Sequence, residues 1–221
     1  MKVNKKINEM KRLIIVCLML FTSMSFAQDE EAKSLLNTVS KKVKSYDNIS
    51  IDFKYVLQNI AENVRQETRG DVIIQGDKYV LNILGITRIY NGKTLYTISP
   101  EDEEVTISTE ISDDDSSITP SKMLSFYEEG YTYKMDIVQN VQGRKIQYVK
   151  LTPIDTNSEL KNILLGIDAK TKHIYNLIQT GKDGIKTTLT VNSFKTNEPL
   201  SKTLFTFDEN KYKDYYINKL D

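Results

Sequence analysis

The sequence predicts a mainly β fold, an antiparallel sheet of about eleven strands that curls to hide its apolar face, accompanied by two helices. Three observations predict it. Apolar and polar residues alternate with period two through most of the chain, which places every second side chain on one face of a sheet. The alternating runs are separated by short polar or glycine-containing turns, so neighbouring strands pair antiparallel. Only two segments carry helical patterning, too little to cover a large sheet, and a sheet of that many strands must curl or fold onto itself. No fixed-period repeat, linker or low-complexity tract divides the 221 residues, so residues 28–221 read as one domain.

Residues 1–27 read as a cleaved signal peptide. Lys2, Lys5, Lys6, Lys11 and Arg12 form a basic start, Leu13 to Phe21 an apolar run, and Ser25-Phe26-Ala27 a small-x-small cleavage site before Gln28. The apolar run is shorter than the roughly 20 residues a bilayer-spanning helix needs. Cys17 lies in the middle of that run, which disfavours lipid attachment there. Cleavage removes the only cysteine, leaving an exported domain held together by its core and not by disulfides. The mature chain keeps 25 of 30 basic and 29 of 30 acidic side chains, a net charge near −4. That balance argues against binding nucleic acid or an anionic membrane by bulk charge.

In chain order, residues 31–46 place Leu35, Leu36, Val39, Val43 and Tyr46 on one helical face opposite lysines, and Asp47-Asn48 ends the helix. Ile49 to Gln58 is a strand with Ile49, Ile51, Phe53, Tyr55 and Leu57 on one face, followed by a polar turn over Asn59 to Gln66. Gly70 to Ser99 reads as an up-and-down meander, punctuated by Gln75-Gly76-Asp77 and by Asn91-Gly92, the pair a two-residue type I′ turn prefers. Pro100 to Glu104 is an acidic hairpin loop, and Val105 with Ile107 starts the return strand. Glu110 to Ser117 is an acidic loop. Thr119-Pro120 then caps a helix over residues 120–129, stopped by Gly130, with large apolar side chains on more than one face. Strands follow at Tyr131 to Ile137, Lys145 to Thr152, Leu160 to Asp168, His173 to Thr180, Ile185 to Phe194, Leu204 to Phe207 and Asp214 to Asn218.

Catalytic patterns are scarce. The lone His173 has no cysteine partner and no G-x-S-x-G elbow, and reads as a surface residue beside a turn. A single His with no mature Cys does not furnish an ordinary zinc site. Gly92-Lys93-Thr94 lacks the upstream glycine and following helix of a phosphate-binding loop. The acidic runs Glu101 to Glu104 and Asp113 to Asp115 lack calcium-loop spacing. Asn48-Ile49-Ser50 matches a glycosylation triplet that chance often supplies. The chain reads as a non-enzyme without a cofactor. An enzyme acting on envelope glycans would need two facing carboxylates that no pattern selects.

Apolar surface remains. Ile51, Phe53, Tyr55, Leu57, Tyr79, Leu81, Ile83, Tyr131, Tyr133, Met135, Ile163, Leu165, Phe205 and Phe207 fall on predicted inward faces. Met123, Leu124, Phe126 and Tyr127 make the helix at 120–129 a natural cover. Periodicity does not separate a barrel filled by these side chains from one that leaves a hollow.

The chain resembles the LolA-type periplasmic carriers of outer-membrane lipoproteins. The likeness rests on the leader, the helix ending at Ser45-Tyr46, Ser50-Ile51-Asp52-Phe53 and Gly70-Asp71-Val72. It continues in Asn91-Gly92-Lys93-Thr94-Leu95-Tyr96, Leu151-Thr152-Pro153 and Phe205-Thr206-Phe207. The resemblance implies an unclosed antiparallel β-barrel with helices as a lid over an apolar cavity, lined by the inward residues just named, and a monomer with neither activity nor cofactor. It implies acylated lipoproteins as cargo, an inner-membrane lipoprotein-releasing ABC transporter as donor and an outer-membrane acceptor. Known members carry an arginine that ties barrel to lid, where this chain reads Gln75-Gly76-Asp77, so lid closure must use other groups. A carrier is physically necessary for such cargo. At about 0.8 kcal/mol per methylene, exposing a chain of roughly sixteen carbons costs on the order of 12 kcal/mol. The alternative reading is a filled barrel that binds or senses an envelope partner without transporting it.

Overall fold

The computed structural model describes residues 30–109 and 119–220. The predicted leader and the acidic loop lie outside them. The first helix, α1, spans residues 30–44. Six strands follow as a meander: β1 (Ile49–Asn59), β2 (Val64–Gln75), β3 (Lys78–Ile83), β4 (Ile86–Tyr90), β5 (Leu95–Ser99) and β6 (Glu104–Ser108). A four-residue helix, α2 (Pro120–Met123), and a 3-10 turn at Phe126–Glu128 lead into a second meander. It comprises β7 (Tyr131–Val141), β8 (Arg144–Pro153), β9 (Leu160–Asp168), β10 (Ile174–Gly181) and β11 (Lys186–Thr196). The chain closes with β12 (Tyr216–Leu220).

All twelve strands form one sheet in the order β12-β6-β5-β4-β3-β2-β1-β11-β10-β9-β8-β7. The two meanders join where β1 pairs antiparallel with β11. β7 and β12 are the two ends of the sheet and do not pair with each other, so the barrel is unclosed. Every pairing is antiparallel except that of β12, which runs parallel to β6.

Several expectations change in detail. Leu204 to Phe207 forms a turn, not a strand, because residues 197–215 cross the sheet instead of joining it. The β1–β2 turn shrinks to residues 60–63, since both strands extend into a long arm pairing Asn59 with Val64. Asn91-Gly92 is not the centre of a two-residue turn. Asn91 and Thr94 flank Gly92-Lys93, and the Asn91 side-chain oxygen accepts from the Lys93 and Thr94 amides, 2.9 Å each. A tight turn at Leu84-Gly85, both with positive φ, supplies the reversal between β3 and β4. The helix expected over 120–129 stops after one turn. Thr119 caps its start, accepting from the Lys122 amide, but the chain shifts to 3-10 geometry by Phe126.

Apolar packing divides the concave face in two. Ala32, Leu36 and Val39 of α1 pack with Val149, Leu151, Ile163, Leu165 and Ile167 of β8 and β9 and with Tyr127, nearly all of them fully buried. A second cluster joins Ile49, Ile51, Phe53, Val72, Ile74, Tyr79 and Val191. At the far end of the sheet the buried side reverses. Ile98 and Val105 are almost fully buried on the convex face. Tyr96, two residues from Ile98 on that face, stacks on Phe207 of the crossing segment at 4.6 Å between ring centres.

Candidate functional site

The second cluster does not close. Between it and α2 lies an open cavity of about 320 Å³, at the lower end of the roughly 300–1,000 Å³ typical of ligand pockets. Register explains how the wall is built. Ile51, Val72 and Leu81 lie side by side across β1, β2 and β3, and Ile74 beside Tyr79 forms the next row. On the other side Tyr55, Leu189 and Leu177 share a row across β1, β11 and β10. A register shift at Asp52/Phe53 pairs Ile51 with Phe194 and Phe53 with Val191, so both β11 residues face the hollow. Phe53 lies over Gly70, where an added Cβ would come within 2.7 Å of the ring and 2.5 Å of the Asn82 carbonyl oxygen. Glycine is required there for the ring to lie flat against the strand. The opposite face is polar at the same place: Asn82 donates to Asp71 at 2.9 Å and accepts from Thr87 at 2.8 Å.

Thr119, Pro120, Met123 and Leu124 cover part of the mouth. The Ser121 hydroxyl donates to the Gly76 carbonyl at 3.2 Å, tying α2 to the β2–β3 turn. That turn is where the resemblance implies an arginine, and a serine-to-backbone bond stands in its place. The cover is also tied to α1. Glu128 accepts two bonds from the Lys44 ammonium, 2.7 and 2.9 Å, and one from the Ser40 hydroxyl. These bonds hold the Glu128 carboxyl below its ordinary pKa.

His173 is half-buried and not simply exposed. Its Nε2 lies 2.8 Å from the Tyr46 hydroxyl, and its ring stacks on Phe194 at 4.2 Å between centres. Burial pushes its pKa down, helped by the Lys42 charge, so it is neutral at pH 7. It braces the end of α1 against the cavity wall. Burial likewise pushes up the Tyr79 phenol, with nearby Arg88 acting against the shift.

Of the residues expected to line a cavity, Ile51, Phe53, Tyr55, Tyr79, Leu81 and Ile83 do so, with Met123 and Leu124 above them. Leu57 faces the same side beside Thr187 but lies beyond the wall, toward the β1–β2 arm. Tyr131, Tyr133, Met135, Phe126 and Tyr127 pack against or within the α1 cluster, and Ile163 and Leu165 are fully buried there. Phe205 and Phe207 lie toward the convex face beside Tyr96. Val72, Ile74, Leu177, Leu189, Val191 and Phe194 belong to the wall but were absent from the expected set. Alternation in β2 and β11 marks most of them; only Phe194 is hidden, by the bulge.

The sequence model for the outer membrane lipoprotein carrier protein LolA matches residues 44–208. This chain belongs to the LolA family. The matched region runs from the end of α1 into the crossing segment, so it holds the whole cavity wall and α2. No curated protein matches the chain. An uncharacterized conserved protein from Thermus thermophilus has the same fold at 12% identity, with TM-score 0.54 over 86% of this chain and 99% of that one. A LolA superfamily protein from Nitrosomonas europaea aligns at 13% identity and TM-score 0.42, covering 80% and 98% of the two chains. LprF from Mycobacterium bovis aligns at 15% identity and TM-score 0.47, covering 78% and 95%. Among the described residues of this LolA-family chain, no helix is long and apolar enough to cross a membrane.

Proposed function

We propose that this chain is a periplasmic carrier that shields the acyl chains of lipoproteins on their way from the inner to the outer membrane. The observation that carries the reading is the unfilled apolar hollow between the β1–β3 and β10–β11 walls and α2, in a LolA-family chain. Binding is reversible without fuel because the hollow is open and its cover, among the described residues, is one helical turn. Met123 and the tyrosines at its edge adapt to chains of different shape. The donor is an inner-membrane lipoprotein-releasing ABC transporter and the recipient an outer-membrane acceptor. The chain acts by binding and not by covalent catalysis.

The test places a photocrosslinking residue at Leu81 in the exported protein and identifies what it captures. Acylated lipoproteins are expected. Leu81→Glu, which puts a charge into the wall at a half-buried position, is expected to abolish both capture and uptake of a hydrophobic fluorescent probe while the chain stays folded by circular dichroism. Capture of a non-acylated protein, with no uptake of the probe even by the wild type, would favour the sensor module and overturn the carrier.

A further inference from the structure

One cross-strand row of the concave face changes chemistry along its length. It runs Ile51, Val72, Leu81, Arg88, Thr97, Thr106 and Asn218, from β1 across to β12. The first three are apolar wall and the last three are neutral polar side chains. Arg88 stands at the boundary, and among the described residues it is the only charged one lining the cavity. Among the described residues its guanidinium has no hydrogen bond or ion pair; the three ion pairs there join Lys44–Glu128, Lys54–Glu67 and Arg65–Glu67. Glu104, the acid on the same face of the neighbouring strands, accepts instead from Thr106 at 3.1 Å and from Asn218 at 3.3 Å.

An acyl chain laid against Leu81 strips water from one side of Arg88. A dehydrated, unpaired cation weakens binding unless the ligand brings a compensating charge. A planar guanidinium matches the two oxygens of a phosphate or carboxylate, and such charge-assisted bonds are about twice as strong as neutral ones. We infer that the hollow also takes a second class of ligand besides the neutral acyl anchor of a lipoprotein, an amphiphile with an oxyanion next to its acyl chain. The chain lies along Leu81, Val72 and Ile51, the oxyanion sits on Arg88, and the rest of the head lies over Thr97 and Thr106. This inference rests on the lipid-binding reading above and adds to it the orientation and charge class of this second ligand.

Calorimetry on the exported protein, with three single-chain probes of equal length, tests it: lysophosphatidylglycerol, the fatty acid anion and the uncharged monoacylglycerol. The wild type is expected to bind one or both anions at least about ten-fold more tightly than the neutral probe. Arg88→Gln should erase that preference and leave monoacylglycerol binding within about two-fold, while Arg88→Lys keeps part of it. Preference for the phosphate probe alone assigns a phospholipid-type head, and equal preference assigns any oxyanion. Equal affinity of the wild type for all three, or a preference that survives Arg88→Gln, overturns the inference while leaving lipid binding intact. Failure of every probe to bind overturns both.

Discussion

The two halves of the concave face are built alike and end differently. In both, period-two alternation points leucine, isoleucine, valine and tyrosine inward. In the β7–β10 half Val149, Leu151, Ile163, Leu165 and Ile167 are all 0% exposed, whereas in the β1–β5 half Tyr55, Leu81, Ile83 and Leu95 remain half-buried. What lies on top makes the difference. Helix α1, over residues 30–44, is about 22 Å long at 1.5 Å per residue. With strands about 4.8 Å apart, that length covers four to five of them. The four residues of α2 reach about 6 Å, little more than one strand spacing. Among the described residues, the hollow is therefore made by the shortness of its cover and not by unusual wall residues.

The largest expected effects test that division directly. Leu165→Ala opens a void under α1 and should cost about 2–5 kcal/mol in urea unfolding. Leu81→Ala enlarges a space that is already open and should cost less than about 1 kcal/mol, with its consequence in ligand affinity instead. Equal losses in the two variants would mean that the halves are packed alike.

A matched pair of enlargements sharpens the same contrast. Val149 is buried beneath α1 and Val72 faces the hollow. Val149→Phe should overpack the closed half and cost about 1–3 kcal/mol. Val72→Phe has room, so stability should stay within about 1 kcal/mol of wild type, while uptake of an apolar probe falls because the ring occupies the ligand's space.

Which face of each strand is apolar was legible in the sequence, because alternation survives whatever covers it: Ile51, Phe53, Tyr79, Leu81, Tyr133 and Leu165 all fall on the concave side. Which part of that face a helix covers was not legible, since Ile163 and Leu81 carry the same local pattern. The misplacement of Phe205 and Phe207 has another cause. Their spacing of two resembles a strand, but residues 197–215 lie across the convex face, where Phe207 meets Tyr96. Phe194 escaped because an extra residue in β11 breaks the parity on which the reading depends. The resemblance supplied what periodicity lacked, an unclosed barrel with a hollow.

The smallest expected effect lies where the two halves are joined. Glu128 belongs to the segment that follows the cover of the hollow half, yet its partners Ser40 and Lys44 belong to the helix over the closed half. Those bonds lower its pKa from 4.5. A carboxyl depressed by folding contributes stability that is fully present above its unfolded pKa and is lost as pH falls through the folded one. Unfolding free energy should therefore decline below about pH 4.5 by a Glu128-dependent amount. Because the pair is largely exposed, with Lys44 at 61% and Glu128 at 34%, that amount is on the order of 0.5 kcal/mol. Glu128→Gln should remove this part of the acid dependence and lower stability slightly at neutral pH. If the clamp holds the cover as well as the helix, the same variant should also release a bound probe faster in stopped-flow displacement. An unchanged release rate would mean that the closed half holds α1 without transmitting anything to the hollow one.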